Sequence, residues 1–232
     1  MSNLLIVIPA YNEAENIESV VEELKNSYPQ FDYLIVNDGS RDETASLCRA
    51  KGYRMIDLPV NLGLAGAFQT GLKYAFSHGY EYALQFDGDG QHLPAFIQPM
   101  LDKIQEGYDI VIGSRFLTVK KPGSLRMLGS NVIQVALKLT TGITIKDPTS
   151  GMRMFSRDMI REFASGLNYG PEPDTLSYLI KNGARVAEVQ VTMQERLAGA
   201  SYLTPVNAVR YMVRMLTSIL LIQNFRKREG SL

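Results

Sequence analysis

One cysteine, two histidines and no tryptophan occur in 232 residues, and the formal charges cancel. A lone Cys48 excludes an intrachain disulfide and suits a reducing compartment. No His/Cys set stands at zinc-ligand spacing. Acidic and basic residues number 24 each, which argues against nucleic acid as a partner. No window reaches the roughly 18 to 20 apolar residues that a membrane span needs. The N-terminus lacks a basic region and Pro9 cuts its apolar run short, so a strand rather than a signal peptide is expected there. These absences leave a cytoplasmic chain of one domain, with an apolar fraction of 45% from which to build a core.

What is present alternates. Apolar runs of strand length lie at residues 4–8, 33–36, 82–86 and 110–112, with helix-like stretches at 13–26, 43–51, 65–77 and 94–106. Ile17, Val20, Val21 and Leu24 recur at helical spacing. Strands apolar on both faces, alternating with helices, predict an α/β fold: a mostly parallel, Rossmann-like sheet flanked by helices. Further on, residues 126–141 read as a helix with Leu128, Val132, Val135, Ala136 and Leu139 on its apolar face. A short strand should follow Arg153, a helix should cover 175–181, and a strand 184–193. Residues 195–202 read as a polar loop, and 205–227 as one long helix.

Ligands of such sheets bind beyond the carboxyl ends of the strands. Polar residues of special type gather there. Pro9-Ala10-Tyr11-Asn12-Glu13 follows the first run, and Asn37-Asp38-Gly39-Ser40-Arg41-Asp42 the second. Asn61-Leu62-Gly63-Leu64-Ala65-Gly66-Ala67 comes next, then Asp87-Gly88-Asp89-Gly90-Gln91-His92, then Gly113-Ser114-Arg115. Singly, each reads equally well as a turn, a helix cap or a packing glycine. Five in register on one sheet edge define a site. Within it, Asp87 and Asp89 with Gln91 offer hard oxygen donors suited to Mg²⁺ or Mn²⁺ shared with a diphosphate. A carboxylate-rich turn capping the next helix is the plain alternative. His92 is either a ligand or a support behind one.

The first four of these motifs, in this order, resemble the series of family 2 glycosyltransferases with a GT-A fold. Gly113-Ser114-Arg115, Asp147-Pro148-Thr149-Ser150-Gly151-Met152-Arg153 and Glu188-Val189-Gln190-Val191, followed by Arg196-Leu197-Ala198-Gly199-Ala200-Ser201, are similar to the dolichyl-phosphate mannose/glucose synthase branch. That branch moves a sugar from a nucleotide onto a polyprenyl phosphate. The resemblance covers about residues 1–204, with the nucleotide-sugar half in about 1–115 and the acceptor half in about 116–204. It implies that Pro9, Tyr11 and Glu13 surround the donor's base and ribose. Asp38 would accept from them, Gly39 would let the backbone approach, and Asp87 would contact the ribose or help place the metal. Asp89 and Gln91 would ligate Mg²⁺ or Mn²⁺, and Arg115 would meet phosphate oxygens. Arg126, Ser130, Arg196 and Ser201 would bind the acceptor phosphate. Asp147 is read as an organiser acting through Ser150 and Arg153, with a general-base role second.

The expected reaction is inverting transfer of a hexose, from UDP-glucose or UDP-N-acetylglucosamine, onto undecaprenyl phosphate. GDP-mannose stays open as donor. A hydroxyl acceptor on a lipid-linked saccharide is the alternative, and a sugar-nucleotide-binding subunit without catalysis a third. Polymerising relatives carry a Gln-x-x-Arg-Trp motif that a tryptophan-free chain lacks. In the tail, Val209, Met212, Val213, Leu216, Ile219 and Leu220 share a face, with Arg226-Lys227-Arg228 beyond. Residues 205–232 are therefore expected either to lie peripherally on the inner membrane surface, with a small membrane protein as partner, or to dock on the domain core or another subunit. A homo-oligomer is expected.

Overall fold

The computed structural model describes residues 3–123, 125–165, 170–194 and 205–226. Seven strands form one sheet. In chain order they are β1 (Leu4–Ala10), β2 (Asp32–Asn37), β3 (Met55–Asp57), β4 (Tyr82–Gln85), β5 (Ile110–Ser114), β6 (Arg153–Ser156) and β7 (Val186–Gln190). Their spatial order is β3-β2-β1-β4-β6-β5-β7, and all pairings are parallel except those of β6. The helices are α1 (Ile17–Ser27), α2 (Thr44–Ala50), α3 (Gly63–Ser77), α4 (Ile97–Gln105), α5 (Leu125–Thr141), α6 (Arg157–Ser165), α7 (Pro173–Lys181) and α8 (Pro205–Thr217). A π-helical turn at Ser218–Ile222 and a last turn at Gln223–Phe225 continue α8.

The apolar strands are buried on both faces because successive side chains alternate. Leu5, Val7, Leu34, Val36, Ile110 and Phe155 share one core layer with Phe68 and Leu72 of α3 and Phe163 of α6. Leu4, Ile6, Ile8, Ile35, Val111 and Met154 share the other with α1 and α4. Ile17, Val20, Val21 and Leu24 of α1 are buried, as their spacing requires. Gly71 lets α3 lie on β1, since a Cβ there would run into Val7.

Two expectations need correction. The helix α6 was not foreseen, and the edge strand β3, implied by the polar turn at Asn61, was given no range. α6 follows β6 with no turn residue between them, and β3 has only three residues, Met-Ile-Asp. The buried face of α5 is also not the predicted one. Leu128, Val132, Val135 and Leu139 are exposed, and only Ala136 of that set is buried. Ile133 and Leu137 are buried instead, clustered with Met215 and Ile219 of the tail. Apolar residues surround most of α5, so periodicity alone could not choose the face that α8 covers. Of the alternatives left open for the tail, docking on the domain is seen. Arg214 donates to both Glu172 oxygens at 2.9 and 2.8 Å, and Ser218 Oγ donates to buried Asp174 Oδ2 at 2.7 Å.

Candidate active site

Because β6 is antiparallel to both β4 and β5, those two strands point the same way and end on the edge where β6 begins. β1 and β2 end there too. Arg153, the first residue of β6, pairs with Gln85 on one side and Ile112 on the other. The polar clusters that follow β1, β2, β4 and β5 therefore meet on one edge.

The turn after β1 is fastened to the turn after β2. Asn12, at φ 56°, donates its N–H to Ser40 Oγ at 2.9 Å and accepts from the Arg41 N–H at 2.8 Å. The N–H groups of Glu13 and Ala14 donate to Thr44 Oγ1 and Asp42 Oδ2. Pro9, Tyr11 and Glu13 are half-buried along this rim. Glu13 Oε2 accepts from Asn16 Nδ2 at 2.7 Å. Asp38 is buried and accepts the Leu62 N–H at 2.7 Å. Burial raises its carboxyl above the usual range, although the Leu62 and Gly63 amides pull the other way. Gly39 sits at φ 65°, with room for a Cβ taken by the backbone of Val60 and Asn61 at 2.7 Å. The close approach at Gly39 is therefore to the next loop of the protein's own chain.

Beyond β4, the Asp87 N–H donates to His92 Nδ1 at 2.9 Å. That bond makes Nδ1 an acceptor and puts the ring proton on Nε2. His92 is buried edge-on to Phe86, and its Nε2 lies 3.6 Å from Asp87 Oδ2. It braces Asp87 from behind. Asp87 Oδ1 accepts from Gln85 Nε2 at 3.0 Å, while a third of the side chain remains exposed. Gly90, at φ 77°, turns the chain so that Asp89 Oδ1 accepts the Gln91 N–H at 3.1 Å. Gln91 bonds to Gln194 through the Gln194 N–H and, at 3.4 Å, its own Nε2. Gly151 brings the second half of the site here: a Cβ on it would stand 2.7 Å from Asp87 Oδ2.

A second polar group occupies the end of β5. Arg115 forks onto Asp147, Nε to Oδ2 at 2.6 Å and Nη2 to Oδ1 at 2.8 Å, and its backbone N–H reaches Oδ2 at 3.1 Å. Burial works to raise the Asp147 carboxyl, but the hydrogen bonds and charge of Arg115, with Lys121 beyond, hold it below the usual carboxylate range. Glu188 of β7 caps the same turn by accepting the Lys146 and Asp147 N–H groups at 2.8 and 2.9 Å. Ser150 Oγ donates to the Gly113 carbonyl at 2.5 Å. Arg153 is buried and donates to the Ser150 and Pro148 carbonyls at 3.0 and 2.6 Å. It holds the turn by its backbone, so the side-chain partner of Asp147 is Arg115 and not Arg153. Lys121 Nζ donates to Ser130 Oγ at 3.1 Å and Gln134 Oε1 at 3.2 Å. Ser130 Oγ is 3.5 Å from Thr149 Oγ1. Burial, with Arg115 close by, lowers the Lys121 ammonium despite the pull of Asp147.

The edge thus brings together Asp38, Asp87, Asp89, Gln91, Arg115, Ser130 and Asp147. Arg196 and Ser201 lie outside the described residues, as does the side chain of Arg126. Lys121 was not among the expected site residues, and Thr149, within the Asp147–Arg153 motif, had no role assigned. Lys121 sits in a Lys-Lys-Pro-Gly stretch that reads as a surface turn, and only α5 packing beside it reveals its use. No cluster of three or more acidic, histidine or cysteine side chains suited to a metal occurs among the described residues. Two carboxylates with an amide fit an ion whose other ligands come from substrate phosphates and water, the arrangement Mg²⁺ favours.

A mostly parallel seven-stranded sheet flanked by helices, with paired acids after β4, is the GT-A architecture of glycosyltransferases. The chain belongs to Glycosyl transferase family 2, whose model matches residues 5–163. It is 29% identical to polyprenol monophosphomannose synthase of Mycolicibacterium smegmatis, over 91% of this chain and 84% of that one. It is 28% identical to undecaprenyl-phosphate mannosyltransferase of Micrococcus luteus, over 85% of this chain and 86% of that one. Among solved structures, glucosyl-3-phosphoglycerate synthase of Mycobacterium tuberculosis, in complex with Mn²⁺, UDP and phosphoglyceric acid, matches with a TM-score of 0.70 at 21% identity. That match covers 98% of this chain and 80% of the other.

Proposed function

We propose that this chain is an inverting glycosyltransferase that moves one hexose from a nucleotide sugar onto a polyprenyl phosphate. The proposed donor is UDP-glucose or UDP-N-acetylglucosamine, and the proposed acceptor is undecaprenyl phosphate. The observation that carries the acceptor is the Arg115–Asp147 pair. A hydroxyl acceptor must lose its proton as it attacks, which calls for a general base. Asp147 is fully buried and held ionised by Arg115, so it cannot reach such a proton without abandoning its partner. A phosphate monoester has its second pKa near about 6 and is already a dianion at neutral pH. It needs cations and hydroxyls to hold it. Arg115, Lys121, Ser130 and Thr149 supply them, and Arg126, Arg196 and Ser201 are proposed to join them.

On the donor side Pro9, Tyr11, Glu13, Asp38 and Asp87 are proposed to hold the nucleotide. Asp89 and Gln91 would hold the divalent ion. A bound Mg²⁺ or Mn²⁺ neutralises charge on the diphosphate. The acceptor phosphate oxygen attacks the anomeric carbon as the bond to the nucleoside diphosphate breaks, which inverts that carbon. Arg115 is proposed to offset charge near the reacting phosphates.

The test is incubation of the purified chain with radiolabelled UDP-glucose, UDP-N-acetylglucosamine or GDP-mannose, Mn²⁺ and undecaprenyl phosphate. Label should pass into the organic phase and be released by mild acid, the mark of a sugar phosphodiester. Label in the organic phase only when a lipid-linked saccharide is supplied would favour a hydroxyl acceptor. No extractable label from any donor overturns the proposal.

A further inference from the structure

The chain is neutral as a whole, but its acids are unevenly placed. None occurs between Arg115 and Asp147, and none between Glu195 and Glu229. Those two stretches contain α5 and α8 respectively and hold five and six basic residues; Lys121 is turned to Ser130 and Arg214 is paired with Glu172, while Lys138 of α5 and Arg210 of α8 are exposed. The same two helices carry much of the apolar surface exposed on the molecule. On α5, Leu128, Val132, Val135 and Leu139 follow one stripe, and Leu139 is 77% exposed. On α8, Val209 and Val213 begin a second stripe, each more than half exposed. Leu221 and Phe225 extend the exposed surface of the tail, Phe225 at 78%.

The two stripes lie side by side. Gly129 of α5 sits against Met212 of α8, and farther along both helices Ile133 and Leu137 cluster with Met215 and Ile219. Residue numbers rise together along this seam, so the helices run in the same sense. At 100° per residue the α5 stripe lies about a third of a turn to one side of the seam and the α8 stripe about a third of a turn to the other. For helices running in the same sense, opposite rotations bring both stripes to the same side of the pair, as flanking positions do in a parallel coiled coil.

We propose that α5 and α8 together form a docking face for an anionic lipid bilayer. The inference rests on the proposed lipid-phosphate acceptor and extends it, because α5 also carries Ser130, on its buried side. A second copy of the chain fits this face poorly. A two-fold contact lays a patch on itself, and here Lys138 and Arg210, both exposed, would approach cationic copies with no acid in either helix to offset them. An anionic bilayer accepts apolar side chains and supplies the missing counter-charge, about 1 kcal/mol for each basic residue near the surface.

Flotation of the full chain with phosphatidylcholine vesicles, alone or mixed with phosphatidylglycerol, tests the face. The chain should float with the anionic vesicles only, and less so as salt is added. Val135→Glu with Leu139→Glu on α5, and Val213→Glu with Leu221→Glu on α8, should each lower partitioning by about tenfold or more. All four positions are exposed, so thermal melts should be unchanged; serine replacements serve if the glutamates perturb folding. Absence of flotation at low salt overturns the proposal. So does loss on α8 substitution alone, or an α5 pair that converts a dimer to a monomer in light scattering. Transfer to a water-soluble short-chain prenyl phosphate, measured on the same samples, separates the two readings. Transfer without flotation sinks the docking face alone, and flotation without transfer sinks the proposed reaction alone.

Discussion

Arg115 and Asp147, 32 residues apart, meet in a two-pronged ion pair at 2.6 and 2.8 Å, with the carboxylate fully buried and a fifth of the arginine side chain exposed. Breaking such a pair leaves a charge with no partner. Asp147→Asn should cost about 3 kcal/mol in urea unfolding, and Arg115→Lys, which keeps the charge but loses the fork, less. Because the folded carboxyl lies below its unfolded value, this stabilisation is present above about pH 4 and is lost as pH falls through the lower folded value. The gap between wild type and Asp147→Asn should stay flat from neutral pH down to about 4 and shrink only below it. A gap that closes near neutral pH would mean that the pair is not ionised in this way.

Gly39 has two reasons to be glycine: a φ of 65° and the Val60–Asn61 backbone 2.7 Å from where a Cβ would be. Neither obstacle is the end of a flexible side chain. Gly39→Ala should lose about 2 kcal/mol or more. Since Asp38 holds the following loop through Leu62, UDP affinity measured by calorimetry should fall as well. Unchanged stability would show that the 60–62 loop yields freely.

His92 uses its Nδ1 to accept the Asp87 N–H, so it serves as a brace. An asparagine presents an acceptor at a similar reach, whereas alanine leaves a buried N–H unpaired. His92→Ala should cost about 1–3 kcal/mol and His92→Asn distinctly less. Mn²⁺ affinity in the presence of UDP should stay within about threefold in His92→Asn, while second-sphere effects allow up to tenfold or more when the brace is removed. A collapse of Mn²⁺ binding in His92→Asn alone would instead make the ring a ligand.

Cys48 is fully buried on α2, and burial, with Asp57 adding to it, pushes its thiol up to about 11. The folded chain should resist iodoacetamide at pH 8 and react stoichiometrically once unfolded in urea. Because the folded value is raised, the thiol's contribution to stability is complete below the unfolded value near 8.5 and declines as pH rises toward 11. Rapid labelling of native protein at pH 8 would contradict this burial.

The parallel sheet could be read from the alternation of strands and helices, since strands such as Leu4–Ala10 are apolar on both faces. The polar turns after them were legible for the same reason: they interrupt apolar runs at one end only. Periodicity misassigned α5, because a helix apolar on most sides does not say which side its neighbour takes. The pairing of Arg115 with Asp147 was also hidden. Nothing local in either motif points at the other, and the contact exists only because β6 runs backwards between β4 and β5. Lys121 depends on tertiary packing in the same way, through Ser130 and Gln134 of α5.

That reversed strand has a metric consequence. Neighbouring strands are about 4.8 Å apart, so one inserted strand sets the tip of β4 and the tip of β5 roughly 10 Å from each other. The acids after β4 and the cations after β5 then face each other across a gauge fixed by main-chain hydrogen bonds, which side-chain exchange cannot widen. In the proposed reaction, substitutions along either lip would change which sugar or which phosphate is preferred. The span between the two lips is set by the backbone.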